Sequence, residues 1–205
     1  MDVALIAFDG FTDIDIFLPW DLLNRVDATP WRVAILADAP RVTSIAGLPI
    51  PTHGSLAEAS SARAVLIASG PGLRTKLDDP RFLSALHLDP SRQLVGSMCS
   101  GALLLAKLGL LEGKRATTYP TQRERLAGMG VRVVEEPFVR EGNVATAAGC
   151  LAALDLAGWM IEELAGTEQR EMVLRSVQPV GRGLAFDDQA RLPVRHYGAA
   201  PPHGA

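Results

Sequence analysis

The sequence predicts a doubly wound α/β sandwich, and three observations predict it. Four short runs, residues 3–8, 31–37, 64–68 and 94–98, are almost entirely apolar. A strand wet on one face alternates apolar and polar residues, so strands apolar throughout belong to a mostly parallel sheet covered by helices on both faces. Segments of helical period separate the runs, which gives the β-α-β order of crossover units. No Pro/Gly-rich linker divides the chain into two cores, and its 205 residues have the length of one domain, about 100–200 residues.

The first run closes at the turn pair Asp9-Gly10. A helix is predicted over 13–26, with Pro19 expected near its first turns, where a missing N–H costs least. Asp38 closes the second run, and 42–44 with 48–50 read as a short hairpin. The third run ends in Ser69-Gly70-Pro71-Gly72. A helix over 80–86 starts on Pro80, a favoured first position. Helices follow over 101–111 and 121–129, the latter ending near Gly128 and Gly130. A second hairpin pairs 138–140 with 144–146 around Glu141-Gly142-Asn143. The longest helix, 151–164, is apolar almost all round and is predicted to be deeply packed. This makes residues 1–177 a single α/β domain. Residues 178–205, rich in proline, glycine and charge, read as a C-terminal arm or tail.

Composition removes several classes of function. With 48% hydrophobic and 21% charged residues the chain is neither disordered nor a coiled coil. Its net charge is −3, without a basic stripe, which argues against a nucleic-acid partner. No apolar run reaches the roughly 18 residues of a membrane span, and the N-terminus lacks the basic start of a signal peptide. Two cysteines, Cys99 and Cys150, are too few for a disulfide framework, so the expectation is a cytoplasmic protein with reduced thiols.

Ligands of open α/β sheets bind outside the carboxyl ends of the strands. There the run 94–98 passes straight into Cys99 and a helix, with the small residues Ser97 and Gly101 two positions to either side. This is the pattern of a nucleophile elbow: a strained turn that presents one side chain and tolerates no bulky neighbours. A helix N-terminus aimed at the sulfur is expected to lower its pKa. A buried structural cysteine is the plain alternative. Cys150 is read that way, since apolar sequence follows it and no strong strand precedes it. Of the acidic residues Asp9, Asp13, Asp15 and Asp21, Asp13 reads as a helix cap and Asp21 as a solvated carboxylate. Asp15, set between Ile14 and Ile16-Phe17, is either a proton partner for the thiol or a helix-start residue. The turn 69–72 offers backbone N–H groups to a developing negative charge, a signal that glycine-rich turns share widely. His53, His87, His196 and His203 show no metal-ligand spacing and read as surface or loop residues; a tail folding over the site would bring His196 with it. No metal site is expected.

Together, the elbow Ser97-Met98-Cys99-Ser100-Gly101, the acidic residue after the first strand and the glycine turn after the third resemble the ThiJ/PfpI superfamily over about residues 3–175. The resemblance implies a flavodoxin-like fold related to the class I glutamine amidotransferases. It runs closest to the isonitrile hydratase-like branch, through 15–23 (DIFLPWDLL), 109–118 (GLLEGKRATT), Glu141-Gly142-Asn143 and 149–155. This chain departs from that branch in Ser100 where threonine is usual, in Tyr119-Pro120 where histidine is usual, and in Ala68-Ser69-Gly70 where Pro-Gly-Gly is usual. The protease branch carries histidine directly after the cysteine, the amidotransferases need a downstream His-x-Glu, and the glyoxalase- and deglycase-like branch uses glutamate at the position of Asp15.

What the resemblance implies is hydration of a small-molecule isocyanide, with Cys99 as nucleophile, Asp15 as proton donor and acceptor, and Ser100 positioning water or the adduct. Gly70, Gly101 and Tyr119 would serve oxyanion and substrate binding. The scheme requires no metal or organic cofactor and no nucleic-acid or membrane partner, and the family implies a homodimer. The alternative is a ligand- or redox-sensing protein without turnover that uses Cys99 as an oxidisable thiol.

Overall fold

A computed structural model of the chain describes residues 1–184. In chain order its elements are β1 (Val3–Ile6), α1 (Asp13–Asn24), β2 (Val33–Ala37), β3 (Arg41–Thr43), β4 (Pro49–Pro51), β5 (Gly54–Ser55), β6 (Ala64–Ile67), α2 (Leu73–Lys76), α3 (Pro80–Ala85), β7 (Leu94–Met98), α4 (Ala102–Lys107), β8 (Arg115–Ala116), α5 (Arg123–Gly128), β9 (Arg132–Val133), β10 (Phe138–Glu141), β11 (Val144–Ala147), α6 (Ala153–Ala165) and α7 (Thr167–Ser176). Seven strands form one sheet in the order β10-β11-β7-β6-β1-β2-β5. All neighbours are parallel except the hairpin β10–β11. The strands β1, β2, β6, β7 and β11 are buried at every position, as strands covered on both faces must be.

The chain leaves β1 toward β2, then returns to the other side of β1 to lay down β6, β7 and β11. Right-handed crossovers in opposite directions place their helices on opposite faces of the sheet. On one face α1 packs against α6 and α7, while α4 packs with α5. The fit of α6 depends on Gly96 in β7, where an added Cβ would lie 2.7 Å from Leu156 Cδ1 and 2.8 Å from Met160 Cε. The reversal beside β1 opens a crevice at the carboxyl ends of the strands.

The structure corrects several expectations. Pro19 sits in the middle of α1, not near its first turns. Its ring removes the bond to the Asp15 carbonyl, and burial of Ile16, Leu22 and Leu23 holds the helix in place despite that loss. The helix expected over 101–111 stops at Lys107, since Gly109 at φ +74° turns the chain out of it. The one expected over 151–164 begins with a single tight turn at Cys150–Ala152, which leaves Leu151 70% exposed at its outer edge. The helix α7 is an addition: its sequence TEQREMVLRS shows no apolar stripe, and Val173 alone of its side chains is classed as buried. The expected arm is described as far as Leu184, where Arg175 Nε donates to the Gly183 carbonyl at 2.9 Å. His196 and His203 lie outside the described residues. Among the described residues no helix is long and apolar enough to cross a membrane.

Candidate active site

Four segments meet in the crevice: the start of α1, after β1, and the turns that follow β6, β7 and β11. They bring Asp15, Ser69-Gly70, Cys99-Ser100 and Cys150 together. Cys99 is 3% exposed and has φ +46°, a left-handed conformation that a non-glycine residue adopts at a cost. That is the strained elbow expected of a strand passing directly into a helix. It is held from two sides. Thr118 Oγ1 donates to the Cys99 carbonyl at 2.9 Å. Gly101 packs so closely on β6 that an added Cβ would lie 2.8 Å from the Ala68 carbonyl oxygen and 3.0 Å from that of Ile67. Gly101 therefore sets how near the elbow lies to the neighbouring strand.

The acidic residues after β1 separate by role. Asp9 Oδ1 accepts from the Thr43 N–H and Asp13 Oδ2 from the Ala46 N–H, so both hold the β3–β4 hairpin; Asp13 is not the helix cap that the sequence predicts, since Thr12 takes that position. Asp21 pairs with Arg25 at 2.8 Å, one turn along α1. Asp15 alone turns inward and is fully buried. The Ser69 hydroxyl donates to its Oδ2 at 2.5 Å, while Oδ1 has no hydrogen-bond partner. Burial raises the carboxyl pKa, and the Ser69 hydrogen bond and then the nearby Cys150 and Cys99 thiols partly offset the rise.

The Cys99 thiol departs from expectation. Its pKa is raised, first by burial and then by the negative charge of Asp15 and by Cys150, with the Gly149 N–H pulling weakly the other way. The helix behind it cannot outweigh these effects. It starts with the tight turn Cys99–Gly101 and continues only as the short α4, so few aligned peptide dipoles stand behind the sulfur. Burial disfavours ionising both groups together, so the Cys99 thiol and the Asp15 carboxyl titrate as a coupled pair.

The other predicted residues gather at the same place. The Gly70 N–H points at Ser100 Oγ, 3.4 Å away. Gly70 itself has φ +145° and packs against the β1 loop, where a Cβ would lie 2.2 Å from the Gly10 carbonyl oxygen. Cys99, Ser100, Gly70, Tyr119 and Cys150 line a cavity of about 350 Å³, with Arg74 and Arg125 also in its wall. Tyr119 is half exposed, while Gly101 lies behind the elbow and outside the cavity lining.

Cys150 escaped the sequence reading. The Cys99 and Cys150 sulfurs and an Asp15 oxygen all lie within 4.8 Å of one another. Its strand, β11, lies parallel beside β7 and is as buried, but in the sequence it is one arm of the hairpin 138–140 with 144–146, and two residues separate it from Cys150. The Ser69 side chain was missed for a different reason. The turn 69–72 was read for its backbone donors, and its hydroxyl is what orients Asp15.

Comparison with known proteins identifies the family and the fold. Residues 1–163 match the DJ-1/PfpI family. The chain is similar to an isonitrile hydratase of Pseudomonas putida, 26% identical over 174 residues, 84% of this chain and 76% of the relative. It is also similar to the glutathione-independent glyoxalase DJ-1 of Schizosaccharomyces pombe, 24% identical over 187 residues, 85% of this chain and 97% of the relative. Among solved structures, a ThiJ/PfpI family protein from Pseudomonas syringae superimposes with TM-score 0.79 at 28% identity, covering 87% of this chain and 76% of the other. Drosophila melanogaster DJ-1beta shares the fold with TM-score 0.76 at 24% identity, over 86% of this chain and 98% of the other.

Proposed function

The chain belongs to the DJ-1/PfpI family, and on that premise we propose that it is an isonitrile hydratase-like enzyme, adding water to an isocyanide R–N≡C to give the N-substituted formamide. The observation that carries this reading is the buried pair of Cys99 thiol and Asp15 carboxyl, whose reactive atoms lie within 4.8 Å of each other, with Cys99 in the wall of an open cavity and Asp15 behind it. An isocyanide carbon needs a nucleophile and a proton at the same atom, and this pair holds both. Asp15 takes the thiol proton as sulfur bonds to the carbon, then delivers it to that carbon, giving the thioimidate R–N=CH–S. Water adds across the C=N bond, oxygen to carbon and one proton to nitrogen, giving R–NH–CH(OH)–S. The C–S bond breaks, the sulfur recovers a proton through Asp15, and R–NH–CHO leaves. Ser100 and the Gly70 N–H hold the water or the polarised adduct, and Tyr119 meets the substituent R at the cavity wall.

Two features support this reading: the similarity to the Pseudomonas putida hydratase, which stands beside a similarity of the same order to the Schizosaccharomyces pombe glyoxalase, and aspartate at position 15 where the glyoxalase-like branch carries glutamate. We also propose a cytoplasmic homodimer acting on a small molecule. The exposed apolar side chains Ile14 and Leu151, each next in sequence to a site residue, are surface that a second copy would cover.

The test is incubation with cyclohexyl or aryl isocyanide and detection of the formamide, beside a parallel assay of methylglyoxal consumption. Formamide produced by the wild type and lost in Cys99→Ala supports the hydratase. Methylglyoxal consumption without formamide would replace it with a glyoxalase. Neither turnover, with ready peroxide modification of Cys99, would replace it with the sensor. A monomeric mass by light scattering at micromolar concentration would count against the dimer.

A further inference from the structure

We infer that Asp15, Cys99 and Cys150 form a binding site for one thiophilic divalent cation of the zinc class, held by two thiolates and a carboxylate oxygen. The inference rests on the geometry of the trio and not on the reaction proposed above.

The three donor atoms come from three different places in the chain, the first turn of α1 and the turns that follow β7 and β11, and all lie within 4.8 Å of one another. With bonds of about 2.3 Å to sulfur and 2.0–2.2 Å to oxygen, a tetrahedral ion holds neighbouring donors roughly 3.5–3.8 Å apart, so closure asks for movements of about an ångström. The second observation is the carboxylate. Asp15 is fully buried, and its Oδ1 has no hydrogen-bond partner although Oδ2 is fixed by the Ser69 hydroxyl. A buried acceptor left unmatched is costly, and a cation satisfies it. The Ser69 contact is of the kind that orients ligating carboxylates from outside the coordination shell. A disulfide between the two sulfurs would use two members of the trio and leave this oxygen as it is.

The donor set also names the metal. Two thiolates and one carboxylate suit zinc or cadmium and not magnesium or calcium, which take oxygen donors. Cys99 and Cys150 face the cavity shared with Ser100 and Gly70, so the fourth position falls to water, as in zinc sites with three protein ligands. Binding displaces both thiol protons to solvent and changes no oxidation state. It also occupies the Cys99 sulfur, so the bound ion blocks whatever chemistry that sulfur performs.

The experiment is a cadmium titration of the full chain, reduced, stripped with EDTA and desalted without oxygen, followed by the thiolate-to-cadmium charge-transfer absorbance. The expected result is saturation at one equivalent per chain, reversal by EDTA and competition by zinc but not by magnesium. Cys150→Ser should halve the absorbance and weaken binding at least a hundredfold. Asp15→Asn should keep the absorbance and weaken binding about tenfold. In the wild type, zinc should shield both cysteines from iodoacetamide, a readout that depends on no variant. Absence of the band at stoichiometric cadmium, or binding in Cys150→Ser equal to wild type, would overturn the site.

Discussion

Asp15→Asn separates the two effects of that residue on the nucleophile. The carboxylate withholds its proton-transfer function if replaced, and its charge no longer opposes thiolate formation. Two unit charges no more than 4.8 Å apart, at an effective dielectric of about 20, interact by about 3.5 kcal/mol or more. One pH unit corresponds to about 1.4 kcal/mol, so removing the charge should lower the Cys99 thiol pKa by at least about 2.5 units. Burial, the larger cause of the rise, remains, and the thiol should still titrate above an ordinary cysteine. The assay is the pH dependence of Cys99 alkylation by iodoacetamide in the Cys150→Ser background, with EDTA present, in parallel with formamide production. The expected variant alkylates faster than its parent at every pH from neutral to about 10 and makes no formamide, a nucleophile more available and a catalyst inactive. If the alkylation profile does not move, the charge of Asp15 does not reach the sulfur. If formamide production survives, Asp15 is a helix-start residue and the acid–base role is wrong.

The same substitution has a stability signature. The folded-state pKa of Asp15 lies above its unfolded value, so its penalty is absent below the ordinary carboxylate range and grows as pH rises toward neutrality. Asp15→Asn should therefore melt several degrees above wild type at pH 7, with the gain shrinking toward pH 4; an equal gain at both would show that packing and not charge is responsible. Asp15→Glu should fold normally and turn over at least tenfold more slowly, because the added methylene moves the carboxyl group relative to Cys99. Gly101→Ala puts a methyl 2.8 Å from the Ala68 carbonyl oxygen and should lift the elbow by a few tenths of an ångström; kcat should fall at least tenfold, and unchanged kcat would show that elbow height is not critical. Gly70→Ala, with a Cβ 2.2 Å from a backbone oxygen and φ +145°, should cost more than about 3 kcal/mol by denaturant titration.

How much of this could be read from the sequence follows from which interactions are local. The buried strands are legible because a strand covered on both faces has no polar register, and residues 3–6 and 64–67 carry only Ala, Val, Leu and Ile. Cys99 is legible because everything that makes an elbow, the preceding strand, Ser97, Gly101 and the helix, lies within a few residues of it. Neither α7 nor Cys150 is legible on those terms. The helix owes its place to α1 and α6 rather than to an apolar period of its own. Cys150 becomes a neighbour of Cys99 only once β11 is laid parallel beside β7, a pairing of Ala147 with Met98 that no local pattern announces. The thiol pKa fails for the same reason: the helix start beside Cys99 is visible in the sequence, but the burial and the Asp15 charge that outweigh it are tertiary.

The features that make this crevice costly are the ones a purely structural reading does not require. A turn needing positive φ is most cheaply made with glycine, and here it carries a cysteine at +46°. A helix start is served by a solvated carboxylate, and Asp15 is instead buried, with one oxygen unmatched and its pKa raised. Each cost falls on a side chain whose reactive atom faces the same small volume, at the strand ends where the sheet reverses direction. Strain and desolvation are concentrated at one place, on a sheet whose central strands are fully buried and regular, which is what a site kept for chemistry at a cost in stability requires. Thr118 and Gly101 fit that conclusion, since one hydrogen-bonds the elbow's carbonyl and the other allows its close approach while neither presents a reactive group. Their effect is to keep Cys99 in a conformation it would otherwise leave.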